Sequence, residues 1–270
     1  MKISFNKAVV LVVIAVLIVC ICIAIIFVVN SNTNKNVNNA SQQLTSSSSN
    51  SSYDGTEELG TPVEFEIQEV ELPEKVGDEE SAEVNGNTWF YDLDAQGNAI
   101  NIYTYDTFTG DVTLPDTLNG HKVISIGSDN AAGTDNTLFH APLGGEDYWD
   151  NITSITVPDG VQYINEYAFM GYDKLERVTL PDTVIYIGDD AFISSRNLAY
   201  INSDIEGKVV MPKGLQYYGE SLFRYNDKIN DFEFPEQINY IQDWTFYETS
   251  GFSDVTISGQ FEYVGQFLEW

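Results

Sequence analysis

Cysteine and basic side chains are the scarce components of this 270-residue chain. The two cysteines, Cys20 and Cys22, lie inside one apolar run. The rest of the chain therefore has no disulfide, no thiol nucleophile and no thiolate metal site, and its stability has to come from packing. Twelve Lys and Arg stand against 41 Asp and Glu, for a formal net charge of −29. The imbalance is uneven. No acid precedes Asp54, whereas Lys2, Lys7 and Lys35 do, and from residue 53 onward the net charge is −32. Such a surface repels phosphate, which excludes nucleic acid and disfavours anionic lipid. Cationic proteins, divalent cations and neutral glycans remain as partners.

Catalytic signatures are also missing. His121 and His140 are the only histidines, and without cysteine they make a poor zinc set. No Gly-x-Ser-x-Gly elbow or phosphate-cradling loop is present. Carboxylates are too abundant for a pair of them to be informative. Both histidines are expected as solvated loop residues, His121 in the turn Asn119-Gly120-His121-Lys122 and His140 in an acidic insertion. Asp92-Leu93-Asp94-Ala95-Gln96-Gly97 opens like a calcium loop, but Tyr103 stands at the twelfth position, where a bidentate Glu is needed. It reads as a hairpin turn. The expectation is no catalysis, no metal and no cofactor.

What is present begins with residues 8–29, a stretch of 22 residues without charge. As a helix it would be about 33 Å long, enough to cross a bilayer core. Lys2 and Lys7 precede it, so residues 1–7 are expected as a cytoplasmic tail and everything after residue 30 outside the cell membrane. A cleaved signal peptide is the weaker reading, since the run is too long and lacks Ala-x-Ala, although Val29-Asn30-Ser31 is a tolerable triplet. Lipidation fits worse, because Val19 and Ile21 precede the two cysteines where a small residue is needed. Residues 30–85 read as a linker, Ser/Asn-rich to residue 52 and then acidic. Val63-Glu64-Phe65-Glu66-Ile67 alternates like a short strand within it.

From residue 86 the chain repeats itself. Val178-Thr179-Leu180-Pro181-Asp182, followed by Val184-Ile185-Tyr186-Ile187-Gly188 and Ala191-Phe192, has counterparts on both sides. The prolines fall at 115, 158, 181, 212 and 235, with Ser258 in the next slot, so the unit is 23 residues with insertions of 20 and 8. The alternation of Val178-Thr179-Leu180 suits a strand with one buried face, and Pro181 ends it. One such unit cannot bury its apolar groups alone; stacked units can, in a β-rich solenoid. Phe169, Phe192, Phe223 and Phe246 should then form an internal column. Thr88–Leu93 and Ala99–Tyr105 read as a hairpin that caps the first unit. No equally clear cap follows the last one, so self-association through that edge is a rival to ligand binding.

Leu175-Glu176-Arg177-Val178-Thr179-Leu180-Pro181 through Phe192 resembles the BspA-like leucine-rich repeat of bacterial surface proteins. The resemblance covers roughly residues 86–270. It implies a right-handed leucine-rich-repeat solenoid displayed for adhesion-type binding, here following the one transmembrane helix and disordered stalk read from residues 8–85. The implied partner is an extracellular protein or glycan that the resemblance does not name. Two surfaces are candidates. Tyr163, Tyr186, Tyr217, Tyr240 and Tyr263 occupy one slot in five units and should face outward as a stripe. That stripe suits either a stacking ladder or a ligand surface. The strand face would present Thr156, Arg177, Thr179, Lys208, Glu233 and Thr256, with charge changing sign along the stack.

Overall fold

The structure, a computed structural model, describes residue 67 and residues 69–128, 137–140, 151–249, 256–258 and 261–265. The apolar run 8–29 and the stalk up to residue 66 lie outside the described residues, as do residues 63–66 of the possible strand Val63–Ile67; Ile67 itself is not in a strand. Among the described residues no helix is long and apolar enough to cross a membrane.

The N-terminal strands are β1 (Lys75–Val84), β2 (Asn87–Asp94) and β3 (Ala99–Tyr103), joined as an antiparallel meander. Then come β4 (Gly110–Thr113) and the small hairpin of β5 (Thr117–Leu118) and β6 (His121–Lys122), followed by β7 (Ser125–Ile126). The repeats supply β8 (Ile152–Thr156), β9 (Tyr163–Ile164), β10 (Arg177–Thr179), β11 (Tyr186–Ile187), β12 (Tyr200–Ile201) and β13 (Lys208–Val210). They continue with β14 (Tyr217–Tyr218), β15 (Asp231–Glu233), β16 (Tyr240–Ile241), β17 (Thr256–Ser258) and β18 (Tyr263–Val264).

Each unit gives one strand to each of two walls, and on one wall the last two strands, β16 and β18, pair as a separate two-stranded sheet. One sheet runs β1-β2-β3-β7-β9-β11-β14 and the other β17-β15-β13-β12-β10-β8-β4, with the repeat strands parallel. Val178 lies in register with Ile155, and Ile187 with Ile164, so equivalent residues stack. The core between the sheets is the set of inward positions: Ile155, Val178, Val209 and Phe232 from one, Ile126, Ile164 and Ile187 from the other, all buried. Phe169, Phe192, Phe223 and Phe246 close it on the turn side. Their rings stack at centroid distances of 5.0, 5.7 and 6.4 Å, with interplanar angles of 16°, 17° and 7°. Gly188 has a packing role. A Cβ there would sit 2.6 Å from the backbone nitrogen of Glu166, so the Ile-Gly of the repeat phrase lets successive units touch.

Four readings need correction or completion. Residues 75–84 are not linker: they form β1, paired with β2 on both sides of an irregularity between Val76 and Glu80. Its side chains are almost all exposed, so backbone hydrogen bonds rather than burial hold it. The eight-residue insertion, left without a structure by the repeat spacing, holds a strand. Tyr200–Ile201 keeps the 23-residue register, pairs with β10, and is followed by β13 as an extra strand of the same sheet. Asn202, at φ 49°, ends β12; its amide accepts from Leu180 N–H at 2.8 Å and donates to Val210 C=O at 3.2 Å. The described part of the 20-residue insertion is core. Leu138 and Phe139 are buried, and Leu138 N–H donates to Ala168 C=O as Phe169 N–H does to Ala191 C=O. His140, next to them, is also buried and stacks on Tyr103 at 4.4 Å, so it is not a solvated loop residue.

Candidate functional site

The tyrosine slot sits where each unit's second strand begins. An inward residue follows it, so alternation turns the tyrosine outward. Tyr163, Tyr186 and Tyr217 are in mutual register on β9, β11 and β14 and are half-buried. Tyr186 and Tyr217 stack with centroids 5.2 Å apart and planes 6° from parallel. Burial is the largest cause raising all three hydroxyls above the usual tyrosine range; neighbouring carboxylates raise Tyr163 and Tyr217 further. They are neutral hydrogen-bonding groups at any physiological pH.

Tyr240 departs from the expected stripe: it is buried. The cause is Tyr218, which stands where the other units carry Ile164, Ile187 and Ile241. Its ring fills the interior, stacking on Phe234 and Tyr240, each at 5.3 Å. The ring holds β14 and β16 apart, and the sheet ends at β14. Hydroxyls then carry the ladder. Tyr218 Oη donates to Tyr240 C=O at 3.2 Å and accepts from Gln242 N–H at 3.1 Å, while Tyr240 Oη accepts from Tyr218 N–H at 3.3 Å. Tyr263 resumes the outward slot on β18 and donates to Asp243 at 3.2 Å. The contiguous aromatic face is thus Tyr163, Tyr186 and Tyr217.

Sequence reasoning missed what borders it. Three residues after each tyrosine stands a carboxylate: Glu166, Asp189, Glu220 and Asp243 in four successive units. The structure lines these up beside the rings. Burial first, then the charge of Asp189, pushes Glu166 above the usual carboxylate range, and the same causes with Asp243 added push Glu220 up. Asp189 accepts Glu220 N–H at 2.8 Å, which ties one step of the row to the next. The signal was available as Tyr-x-x-acid in four of the five tyrosine units, Gln266 breaking it after Tyr263, but only an alignment of the polar positions exposes it. Extended residues entering β1 pass the same face: the charge of Glu71 acts on Tyr163 and that of Glu69 on Tyr217.

The strand face is more self-contained than its sequence suggests. Thr156 and Thr179 are exposed and in register. Arg177 is engaged, lying 4.3 Å over the Tyr200 ring and 3.3 Å from Asp204. Lys208 pairs with Glu233 at 2.9 Å. Its neighbours within the face therefore occupy each basic side chain. Thr256 pairs with Asp231 through the backbone, and its side chain lies outside the description.

The remaining polar candidates have local partners. Asp94 accepts from Gln96 N–H at 2.9 Å and Asn98 N–H at 2.8 Å, so it shapes the hairpin turn, and Asp92 pairs with Lys75 at 2.6 Å. His121 Nδ1 lies 2.7 Å from Gly97 C=O and is half-buried rather than solvated. Among the described residues no cluster of His, Cys, Asp and Glu could hold a metal ion.

Residues 147–268 match the BspA type leucine rich repeat region in six copies. That region is a BspA-type leucine-rich repeat. No curated protein matches the chain. Solved structures similar to it include a leucine-rich repeat protein of T. pallidum, 20% identical with TM-score 0.46 over 65% of this chain and 82% of that one. Another is a leucine-rich repeat protein of Bacteroides ovatus, 20% identical with TM-score 0.36 over 70% of this chain and 40% of that one. A leucine rich cell surface protein of Faecalibacterium prausnitzii is 19% identical with TM-score 0.40, over 67% and 55%. The chain thus spans well under two thirds of the last two.

Proposed function

We propose that this chain is a bacterial surface protein, anchored in the cell membrane by residues 8–29, whose repeat solenoid recognises an extracellular protein or glycan without catalysis. The face that carries the reading is the parallel pair of rows, Tyr163, Tyr186 and Tyr217 beside Glu166, Asp189, Glu220 and Asp243. Aromatic rings offer flat apolar contact with fixed hydrogen-bonding tips, and the carboxylates add cation and hydroxyl recognition. Both rows repeat with the strand spacing of ~4.8 Å, so they suit an extended ligand better than a compact one. The domain's strong negative charge favours a basic protein segment among such ligands.

The test is binding by cells displaying the full chain to a panel of extracellular-matrix proteins and cell-wall glycan. A triple substitution of Tyr163, Tyr186 and Tyr217 to alanine should abolish capture while the unfolding profile keeps its cooperativity. Asp189→Asn with Glu220→Gln should weaken capture of basic proteins and flatten its salt dependence. Capture unchanged by the triple substitution would remove the face from the argument.

A further inference from the structure

The N-terminal meander caps only one of the two sheets. β3 pairs with β7, so β1 and β2 extend the sheet that carries the tyrosines. The other sheet stops at β4. Leu114 N–H donates to Thr156 C=O, which fixes the even-numbered backbone groups of this strand toward β8. By alternation the N–H and C=O of Asp111 and Thr113 point the other way. No described residue pairs with them. The opposite sheet's outer strand is guarded differently: β1 carries Asp78, Glu79, Glu80 and Glu83 and a register shift between Val76 and Glu80. β4 has one acid and no such irregularity beyond its first residue.

Beside this edge lies a pocket of about 410 Å³. Trp89, Phe108, Leu114 and Pro115 form its apolar lining, and Asn85 and Thr113 stand among its polar groups. Trp89 is 2% exposed and packs on Phe108 at 5.7 Å, giving the floor a rigid aromatic pair. An unpaired strand edge with an adjoining apolar hole is the pair of features that strand addition uses: backbone bonds hold the guest, and the hole selects one of its side chains.

We infer that the edge of β4 and the Trp89–Phe108 pocket form a docking groove for an extended peptide segment of a partner protein. The segment carries an apolar side chain for the pocket and basic residues flanking it. The basic flanks follow from charge. Asp116 is exposed and lines the pocket, Asp111 is exposed on β4 with Ser154 and Thr153 hydroxyls donating to it, and the Lys122 side chain lies beside Gly160. A second copy of this chain fits poorly. Antiparallel pairing of two such edges would set Asp111 near its own counterpart, and like charges on facing strands repel. This groove is separate from the tyrosine face and does not depend on it.

The probe is the capped peptide acetyl-Lys-Val-Thr-Leu-Thr-Lys-amide, titrated against the full chain in detergent. Amide exchange and tryptophan fluorescence report the groove. Saturable binding that slows exchange at Thr113 is expected. Thr113→Pro removes an outward N–H without touching the β8 ladder, and it should weaken binding at least tenfold. Methylating alternate amide nitrogens of the probe should do the same on the unaltered protein, which covers the case in which Thr113→Pro fails to fold. Exchanging the two terminal lysines of the probe for glutamate should weaken binding several-fold. No binding at 1 mM probe would overturn the inference. So would equal binding by the methylated probe. A concentration-dependent dimer lost in Thr113→Pro would overturn it in favour of self-pairing.

Discussion

Tyr218→Phe tests the most unusual packing in the molecule by deleting one oxygen. The ring would remain, stacked on Phe234 and Tyr240, so hydrophobic burial is unchanged. What disappears is the hydroxyl that donates to Tyr240 C=O and accepts from Gln242 N–H. Both backbone groups belong to buried residues, and Tyr218 itself is 0% exposed. Neither can turn to water, and β14 and β16 are already too far apart to bond directly. An orphaned buried donor or acceptor costs ~1–3 kcal/mol, so two of them should cost about 2–6 kcal/mol together. Urea unfolding followed by circular dichroism should show the midpoint falling with little change in slope. Amide exchange should quicken at Gln242 while Gly188, on the intact ladder, stays protected. A loss below ~0.5 kcal/mol would refute the account, because it would mean that the strands close up once the hydroxyl is gone and that the oxygen bridges nothing essential. Tyr218→Ile is the complementary change. It supplies the residue of the neighbouring units and should let β14 and β16 pair.

Other outcomes follow from the same geometry. Phe192→Ala removes a fully buried ring stacked on both sides and should cost ~3–5 kcal/mol in a thermal or urea melt; Phe246→Ala, at the end of the column, should unravel the C-terminal units first. Burial, with Asp189 and Glu166 adding to it, holds the Asp190 carboxyl at about 6 against the pull of Tyr167 and Arg224. Its stabilising neutral form is complete below about pH 4 and is lost as pH rises through 6, so the domain should melt higher in mild acid. Asp190→Asn should flatten that profile and add ~1–2 kcal/mol at pH 7, after allowance for water screening. Asparagine also suits the φ of 53° at this position. Asn202→Ala strands Leu180 N–H and Val210 C=O and places a Cβ-bearing residue without a polar group at φ 49°; a loss of about 2 kcal/mol in urea is expected.

The features that reached the sequence level are those written in apolar spacing. Val178, Leu180, Ile187 and Phe192 recur in kind at fixed distances, so the stacked unit and the column of rings could be read directly. β1 could not, because Lys75-Val76-Gly77-Asp78-Glu79-Glu80 buries nothing and is held by backbone pairing and by polar contacts of Lys75 with Asp92, Glu79 with Tyr103 and Glu80 with Tyr91. β12 escaped because the repeat was aligned on prolines and Ile201 has none after it. Tyr240 was misplaced for a nonlocal reason: its orientation depends on the bulk of Tyr218, 22 residues earlier. His140 was misjudged from its acidic neighbours in sequence, whereas Tyr103 and Tyr105 enclose it in space. The carboxylate row of the candidate site was present in the letters. It has no hydrophobic signature, so a search for core positions passes over it.

The extra strand β12 has a mechanical consequence. Between β10 and β13 one wall of the coil holds an added strand, while on the other wall β11 and β14 are adjacent. With strands ~4.8 Å apart and walls ~10 Å apart, one side gains a wedge worth about 25° of bend. Eight residues thus act as a keystone, adding a strand on the side that bears Arg177 and Lys208 while Tyr186 and Tyr217 stay on adjacent strands of the other.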